Sequence, residues 1–287
     1  MRQEAYFCTV KELDELGKNN IPRQLISHTH LIYSSPATLA FNSPGAEGFG
    51  VKRAGLAVPD SVMLIVSPGC CGRNTSVLSS MRAYQDRFYY LLMDETDIVT
   101  GRHLKKIPKA VAEICEGLKK KPSVVMICIT CVDALLGTDM ERVCHKAEEY
   151  AGVPVRPCYM YALTREGRKP PMVHVRQSVY SLLEPKKKKG NVVNLLGYFS
   201  PLTDDCELYD LLHGAGVKTI HEISRCKDYA QYQTMSEANF NLVLHPEARF
   251  AAEDFHDRLK IPYIELRRLY QIDKIASQYR ALAAALG

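Results

Sequence analysis

Two short apolar runs constrain this chain more than any other feature. Val62-Met63-Leu64-Ile65-Val66 leads into Ser67-Pro68-Gly69-Cys70-Cys71-Gly72-Arg73, and Val124-Val125-Met126-Ile127-Cys128-Ile129-Thr130 leads into Cys131. A β-rich run of this length that ends in Pro-Gly reads as a buried strand leaving a sheet. Gly69 and Gly72, on either side of the paired thiols, let the backbone approach something bulky. Two strand ends of one sheet, each presenting a thiol at the same edge, point to a metal-cluster site.

The rest of the chain supplies the sheet. Strands are expected at residues 62–67, 88–93, 123–130 and 153–158, with helices near 74–86, 103–119 and 139–151. Strands and helices that alternate at this length imply a parallel sheet with helices on both faces. Residues 6–20 read as helical and 24–60 as loop-rich. The polar, lysine-rich stretch 186–190 reads as a linker. A second array follows, with strands at 191–197, 217–221, 241–244 and 261–264. Its helices are expected from the cap Thr203-Asp204-Asp205 to about 214, at 250–259 and at 271–286. The expected fold class is α/β, with two Rossmann-like parallel-sheet domains. The expected division is an N-terminal segment 1–60, a first β/α domain 61–185 with the cysteines, and a second domain 190–287.

Composition excludes several classes. No stretch of the 287 residues approaches the roughly 20 apolar residues of a membrane helix. The first residues carry charge of both signs, so no signal peptide is expected and the protein is expected to be cytoplasmic. Ten cysteines in that reducing compartment read as metal ligands, reactive thiols or core residues rather than disulfides. The net charge of +5 is local, in residues 119–121 and 186–189. Neither lysine run interleaves aromatics, so nucleic acid is not expected. No phosphate loop of the Gly-x-x-x-x-Gly-Lys type occurs, so the chain is not expected to hydrolyse ATP. Neither a dinucleotide fingerprint nor a nucleophile elbow is present.

Three stretches carry a resemblance to the nitrogenase component 1 family. Ser67-Pro68-Gly69-Cys70-Cys71-Gly72 resembles that family's His-Gly-Pro-x-Gly-Cys. Ile129-Thr130-Cys131-Val132-Asp133, continuing to Met140, resembles Thr-Thr-Cys followed by a Gly-Asp-Asp helix start. Asp97-Ile98-Val99-Thr100-Gly101 resembles Asp-Ile-Val-Phe-Gly. The family includes nitrogenase subunits, cofactor scaffold proteins, protochlorophyllide reductases and the Ni-sirohydrochlorin a,c-diamide reductive cyclase. The chain resembles a truncated member that lacks the third domain. Ser43 stands in the region where the family usually has an earlier cysteine. Thr219 falls near the position of the middle-domain cysteine that holds nitrogenase's catalytic cofactor, so no molybdenum cofactor is expected.

The resemblance implies roles for particular residues. Cys131, Cys71 and Cys70, in that order, are the expected cluster ligands. Two thiols per chain in a symmetric dimer imply one bridging 4Fe–4S cluster, and three imply a larger P-cluster-like centre. Thiolate ligands of this kind need a glycine-flanked, largely water-excluded turn. Cys128 lies inside a strand, where a residue three before Cys131 faces the opposite way, so it reads as core. His174 is the expected proton donor near a substrate. Arg165, Arg168 and Arg176 are expected to bind substrate carboxylates. His28 and His30 alternate along an extended segment and read as surface residues before metal ligands.

The implied function is an oxidoreductase of the nitrogenase-like class. It would accept electrons from an ATP-dependent iron–sulfur reductase partner, as a homodimer or a heterodimer with a similar chain. Its substrate would be a small unsaturated molecule such as a tetrapyrrole. The alternatives are a non-catalytic scaffold or carrier for a cluster or metallocofactor precursor, and a partner subunit of a larger complex.

Overall fold

The computed structural model describes residues 9–17, 19–20, 22, 49–69, 79, 81–82, 84–130, 132–133, 136–160 and 169–286. Eight strands form two four-stranded sheets. The first contains β1 (Val62–Ser67), β2 (Phe88–Leu92), β3 (Val125–Ile129) and β4 (Val155–Tyr159), in the order β2-β1-β3-β4. The second contains β5 (Val192–Leu196), β6 (Thr219–His221), β7 (Phe240–Val243) and β8 (Tyr263–Glu265), in the order β6-β5-β7-β8. Every pairing is parallel. Both sheets thus reverse their winding beside a central strand, between β1 and β3 and between β5 and β7. The crevice at such a switch point, at the carboxyl ends of the strands, is where α/β sheets bind ligands.

The central strands explain their own composition. All six residues of β1 and all five of β3 are buried, because helices cover both faces and leave no polar side. On one face Leu64, Val66, Ile127 and Ile129 pack against α4 (His103–Gly117) and α5 (Met140–Ala151). On the other face Met63, Ile65, Met126, Cys128 and Cys158 meet α2 (Phe49–Gly55) and α6 (Pro171–Tyr180). That second core continues without a break into the other sheet. Leu196, Val243, Ala252 and Phe255 belong to it, the last two from α9 (Arg249–Leu259). The outer face of the second sheet packs on α7 (Glu207–Gly214) and, through Leu282, on α10 (Ile272–Leu286).

Several expected boundaries shift. Helix α2 lies inside the stretch read as loop-rich. Its sequence, Phe-Gly-Val-Lys-Arg-Ala-Gly, has low helix propensity, and burial of Val51 and Ala54 overrides it. Residues 84–86 form a turn where helix was expected, with Asp86 at φ 60°. The Thr203-Asp204-Asp205 cap does not form. Helix α7 starts at Glu207 behind Cys206, with no side-chain cap, and Asp204 pairs instead with Arg225 at 2.7 Å. The short α1 (Val10–Leu16) and α3 (Glu95–Thr100) both begin with a full capping box, on Thr9 and on Asp94. A further short helix, α8 (Tyr229–Gln233), precedes β7.

Candidate cluster edge and interdomain cavity

Strands β1 and β3 are neighbours, with Val66 opposite Ile129. Ser67 closes β1 and Thr130 follows β3, so the segments that carry Cys70, Cys71 and Cys131 leave adjacent strands at the same edge. Cys70, Cys71, Gly72 and Cys131 lie outside the described residues, as do Arg165, Arg168, His28, His30 and Ser43. Gly69 is described and exposed, and a Cβ built there would meet nothing within 4 Å. Among the described residues no group of three or more His, Cys, Asp or Glu side chains is gathered for a metal.

The frame beneath those segments is polar in a way that a closed core is not. Ser67 Oγ, Thr130 Oγ1 and Asp133 Oδ2 are all buried and have no hydrogen-bond partner among the described residues. A buried polar group without a partner costs about 1–3 kcal/mol, so three at one strand edge call for a reason. The two hydroxyls of Ser67 and Thr130 can donate, and so suit a ligand whose sulfur atoms accept hydrogen bonds. Asp133 Oδ2 can only accept, and Asp133 serves the His103 network instead, through Oδ1. An iron–sulfur cluster fits that donor set.

A second network holds the frame in place. His103 Nδ1 lies 3.0 Å from the Asp97 carbonyl oxygen, which can only accept, so Nδ1 carries a hydrogen. His103 Nε2 lies 2.9 Å from Asp133 Oδ1, and that contact needs a proton as well. Thr138 Oγ1 donates to the same oxygen at 3.1 Å. Asp97 takes Lys106 Nζ at 2.7 Å and Arg102 Nε at 2.6 Å, and these two cations hold its carboxyl well below the usual range. The Asp97–Gly101 motif and the Cys131 motif are thus joined through His103. The motif match quoted Asp133 without giving it a role, and His103 carried no sequence signal beyond its place just after that motif.

His174, on α6, sets its ring edge-on to Tyr159 with centroids 5.0 Å apart. Tyr159 is the register partner of Ile129, so His174 stands one strand away from the thiol edge. It lines a surface pocket of about 420 Å³ with Glu141, Arg156 and Asp254. Arg176, on the same helix, is buried and internally committed. Its guanidinium donates to Gly197 O at 2.6 and 3.1 Å, to Met172 O and to Glu247, and it covers the Phe199 ring. A substrate carboxylate would have to displace Glu247 to reach it.

A larger cavity of about 630 Å³ opens between the two sheets. Pro59, Asp60 and Arg87, before β1 and β2, line it from the amino edge of the first sheet. Phe199, Ser200 and Cys226, after β5 and β6, line it from the carboxyl edge of the second. Arg53 and Lys227 add positive charge. Arg87 is itself tied to the carbonyls of Ser61, Leu56 and Val58. Burial pushes the Cys226 thiol up to about 11, with help from Asp228, so it is a neutral thiol at physiological pH. Thr219 is the exposed first residue of β6 and takes no part in the cavity lining.

Two parallel sheets wound in the same order and sharing a core define an α/β fold of two Rossmann-like sheets. The family model for nitrogenase component 1 type oxidoreductases matches residues 47–287, and the chain belongs to this family. Curated relatives include nitrogenase iron-molybdenum cofactor biosynthesis proteins NifE. The protein from a Nostoc species is 27% identical over 239 residues, covering 80% of this chain and 49% of its own length. That from Klebsiella pneumoniae is 27% identical over 266 residues, covering 85% and 58%. The chain thus spans about half the length of the curated relatives it matches. Among solved structures, nitrogenase Cp1 at pH 6.5 aligns with a TM-score of 0.62 at 17% identity, covering 82% of this chain and 56% of that one, a likeness of fold. No described helix is long and apolar enough to cross a membrane.

Proposed function

We propose that this chain is a nitrogenase-like component that holds an iron–sulfur cluster at the shared end of β1 and β3. Its role in this reading is to carry a cluster or metallocofactor precursor. The observation that carries it is the pair of buried hydroxyls on Ser67 and Thr130, unpartnered among the described residues, at the ends of two adjacent strands that Cys70, Cys71 and Cys131 follow in sequence. Similarity to proteins named for cofactor biosynthesis supports the carrier role. Cys131, Cys71 and Cys70 would supply the thiolates, with partners from a second similar chain completing the set. The cluster, when bound, supplies one-electron redox chemistry. The chain's own residues exclude water, hold the turns and offer hydrogen bonds to sulfur.

The test is iron and sulfide content with EPR on anaerobically purified protein. About four irons per dimer, with the reduced signal of one cubane, support a two-thiol bridging 4Fe–4S site. About eight bring in the third thiol and a P-cluster-like centre or two clusters. Full iron content in Cys131→Ala overturns the ligand assignment.

A second reading, favoured by the cavity, is a reductase. Its volume lies within the range of small-molecule sites, and it opens at the carboxyl edge of the second sheet. Arg53 and Lys227 suit an anionic substrate, a tetrapyrrole carboxylate among them. His174, one strand from the thiol edge, would serve as proton donor to a substrate bound there rather than in this cavity, and Arg165 and Arg168 remain proposed carboxylate contacts. In this reading an ATP-dependent iron–sulfur partner delivers electrons to the dimer. Turnover with such a partner and ATP separates the two readings. Partner-independent cluster transfer to an acceptor favours the carrier.

A further inference from the structure

Cys128 and Cys158 are in-register partners on the adjacent parallel strands β3 and β4. In-register residues put their side chains on the same face, and neighbouring strands lie about 4.8 Å apart. That spacing falls within the roughly 4.4–6.8 Å that a disulfide spans between Cα atoms. Both thiols are free and fully buried, and Cys158 Sγ donates to the Val51 carbonyl of α2 at 3.5 Å. No turn, cap or core-packing need explains a pair of thiols set opposite one another. Val, Leu, Ile and Met fill most of the buried positions of the central strands.

We propose that Cys128 and Cys158 form a reversible dithiol–disulfide pair, a modification site distinct from the thiols that follow β1 and β3. Three features of the surroundings support it. Lys52, fully buried on α2, lies close enough to act on both thiols, and its positive charge favours thiolate. Cys158 keeps its proton engaged on the Val51 carbonyl at 3.5 Å, which leaves the facing Cys128 as the nucleophile and Cys158 as the resolving thiol. Met63 and Met126 complete a soft, water-free lining. A Cβ at Gly55 would lie 2.7 Å from the Met63 methyl and 3.2 Å from Cys158 Sγ.

Access runs through α2. This seven-residue helix covers the pair on one side and lines the interdomain cavity on the other, through Gly50, Arg53 and Ala54. Peroxide reaches the pair when α2, seven residues held by Val51 and Ala54, opens locally. The oxidant is a hydroperoxide. Cys128 thiolate attacks one peroxide oxygen and the O–O bond breaks, leaving a sulfenic acid at Cys128 and releasing hydroxide. Cys158 then attacks the sulfenic sulfur, the S–O bond breaks, and water leaves with the proton from the Cys158 thiol. Overall, two thiols and one peroxide give one disulfide and two waters. A dithiol reductant reverses it.

The whole chain, purified without oxygen, is treated with hydrogen peroxide, alkylated after denaturation and mapped without reductant. A peptide pair linked through Cys128 and Cys158, lost on dithiothreitol treatment, is the expected result. Cys144 is the internal control: it is buried but lacks a facing thiol, and burial drives its pKa far up, so it is recovered reduced. In Cys158→Ala, dimedone traps the sulfenic acid at Cys128. If that variant does not fold, the wild-type map alone decides. Recovery of Cys128 and Cys158 as free thiols at a dose that oxidises the half-buried Cys206 overturns the proposal, as does linkage of Cys128 to any other cysteine. Neither result depends on iron content, so failure here leaves the cluster reading intact.

Discussion

His103 Nε2 lies 2.9 Å from Asp133 Oδ1, and both side chains are buried, so helix α4 is bolted to the segment that follows β3 by a proton held between two ionisable groups. Removing one partner of such a pair leaves an uncompensated buried group. His103→Leu should cost about 3–5 kcal/mol. Urea unfolding of the metal-free chain measures this. The double variant with Asp133→Leu should recover part of the loss, because the orphaned carboxylate is gone. A single variant within about 0.5 kcal/mol of wild type would show that the pair is not closed in solution.

Asp97 sets an acid limb of stability. Its carboxyl is held below its ordinary value of 3.8, first by Lys106 and then by Arg102. A depressed folded pKa means that its stabilisation is complete above about pH 4 and drains away as pH falls below that. Asp97→Asn should therefore lower stability at neutral pH and flatten its fall in acid. Denaturant midpoints across the acid range distinguish this from a uniform loss.

Gly197 and Gly101 both have positive φ, at 137° and 63°, but their surroundings differ. A Cβ at Gly197 would sit 2.7 Å from the His245 backbone nitrogen, while one at Gly101 meets nothing within 4 Å. Gly197→Ala should cost more than Gly101→Ala, which carries only the left-handed backbone penalty of about 1 kcal/mol. Equal losses would mean that β5 and β7 separate easily at that end.

The orphaned hydroxyls allow a test of fit for the cluster edge. Ser67→Ala and Thr130→Val remove buried groups that have no partner, so the metal-free chain should be unchanged or more stable by up to about 1 kcal/mol. The iron-loaded chain should respond in the opposite sense, with a shifted reduction midpoint in an EPR titration. A loss of stability in the metal-free chain would mean that the hydroxyls already have partners there.

Much of the fold was legible because β1, β3, β5 and β7 are short, buried and largely apolar runs, broken only by Ser67, Asn194 and Asn241. Their neighbours α4, α5 and α9 are amphipathic enough to read. Helices α2 and α6 were not readable from periodicity. Both are mostly buried in the one core that joins the two sheets and lack a continuous polar face. The thiols were visible as thiols, yet what surrounds them was not. Ser67 and Thr130 look like ordinary strand-end residues, and only the structure shows that both hydroxyls are buried at the ends of neighbouring strands with no partner among the described residues. The Cys128–Cys158 pairing was hidden for the same reason. Residues 30 apart in sequence become neighbours through a crossover that propensity does not fix.

Strand β1 separates the interdomain cavity from the thiol edge. It runs from beside Asp60 to Ser67, six residues or about 20 Å. Val62, Met63, Leu64, Ile65 and Val66 offer no side-chain donor or acceptor along the way. Protons travel through hydrogen-bonded chains, and this one has no links. A unit charge gained at one end is felt at the other by less than about 1 kcal/mol. The sheet therefore insulates: acid–base events at either edge stay local, and any proton used at the thiol edge has to be drawn from solvent on that side.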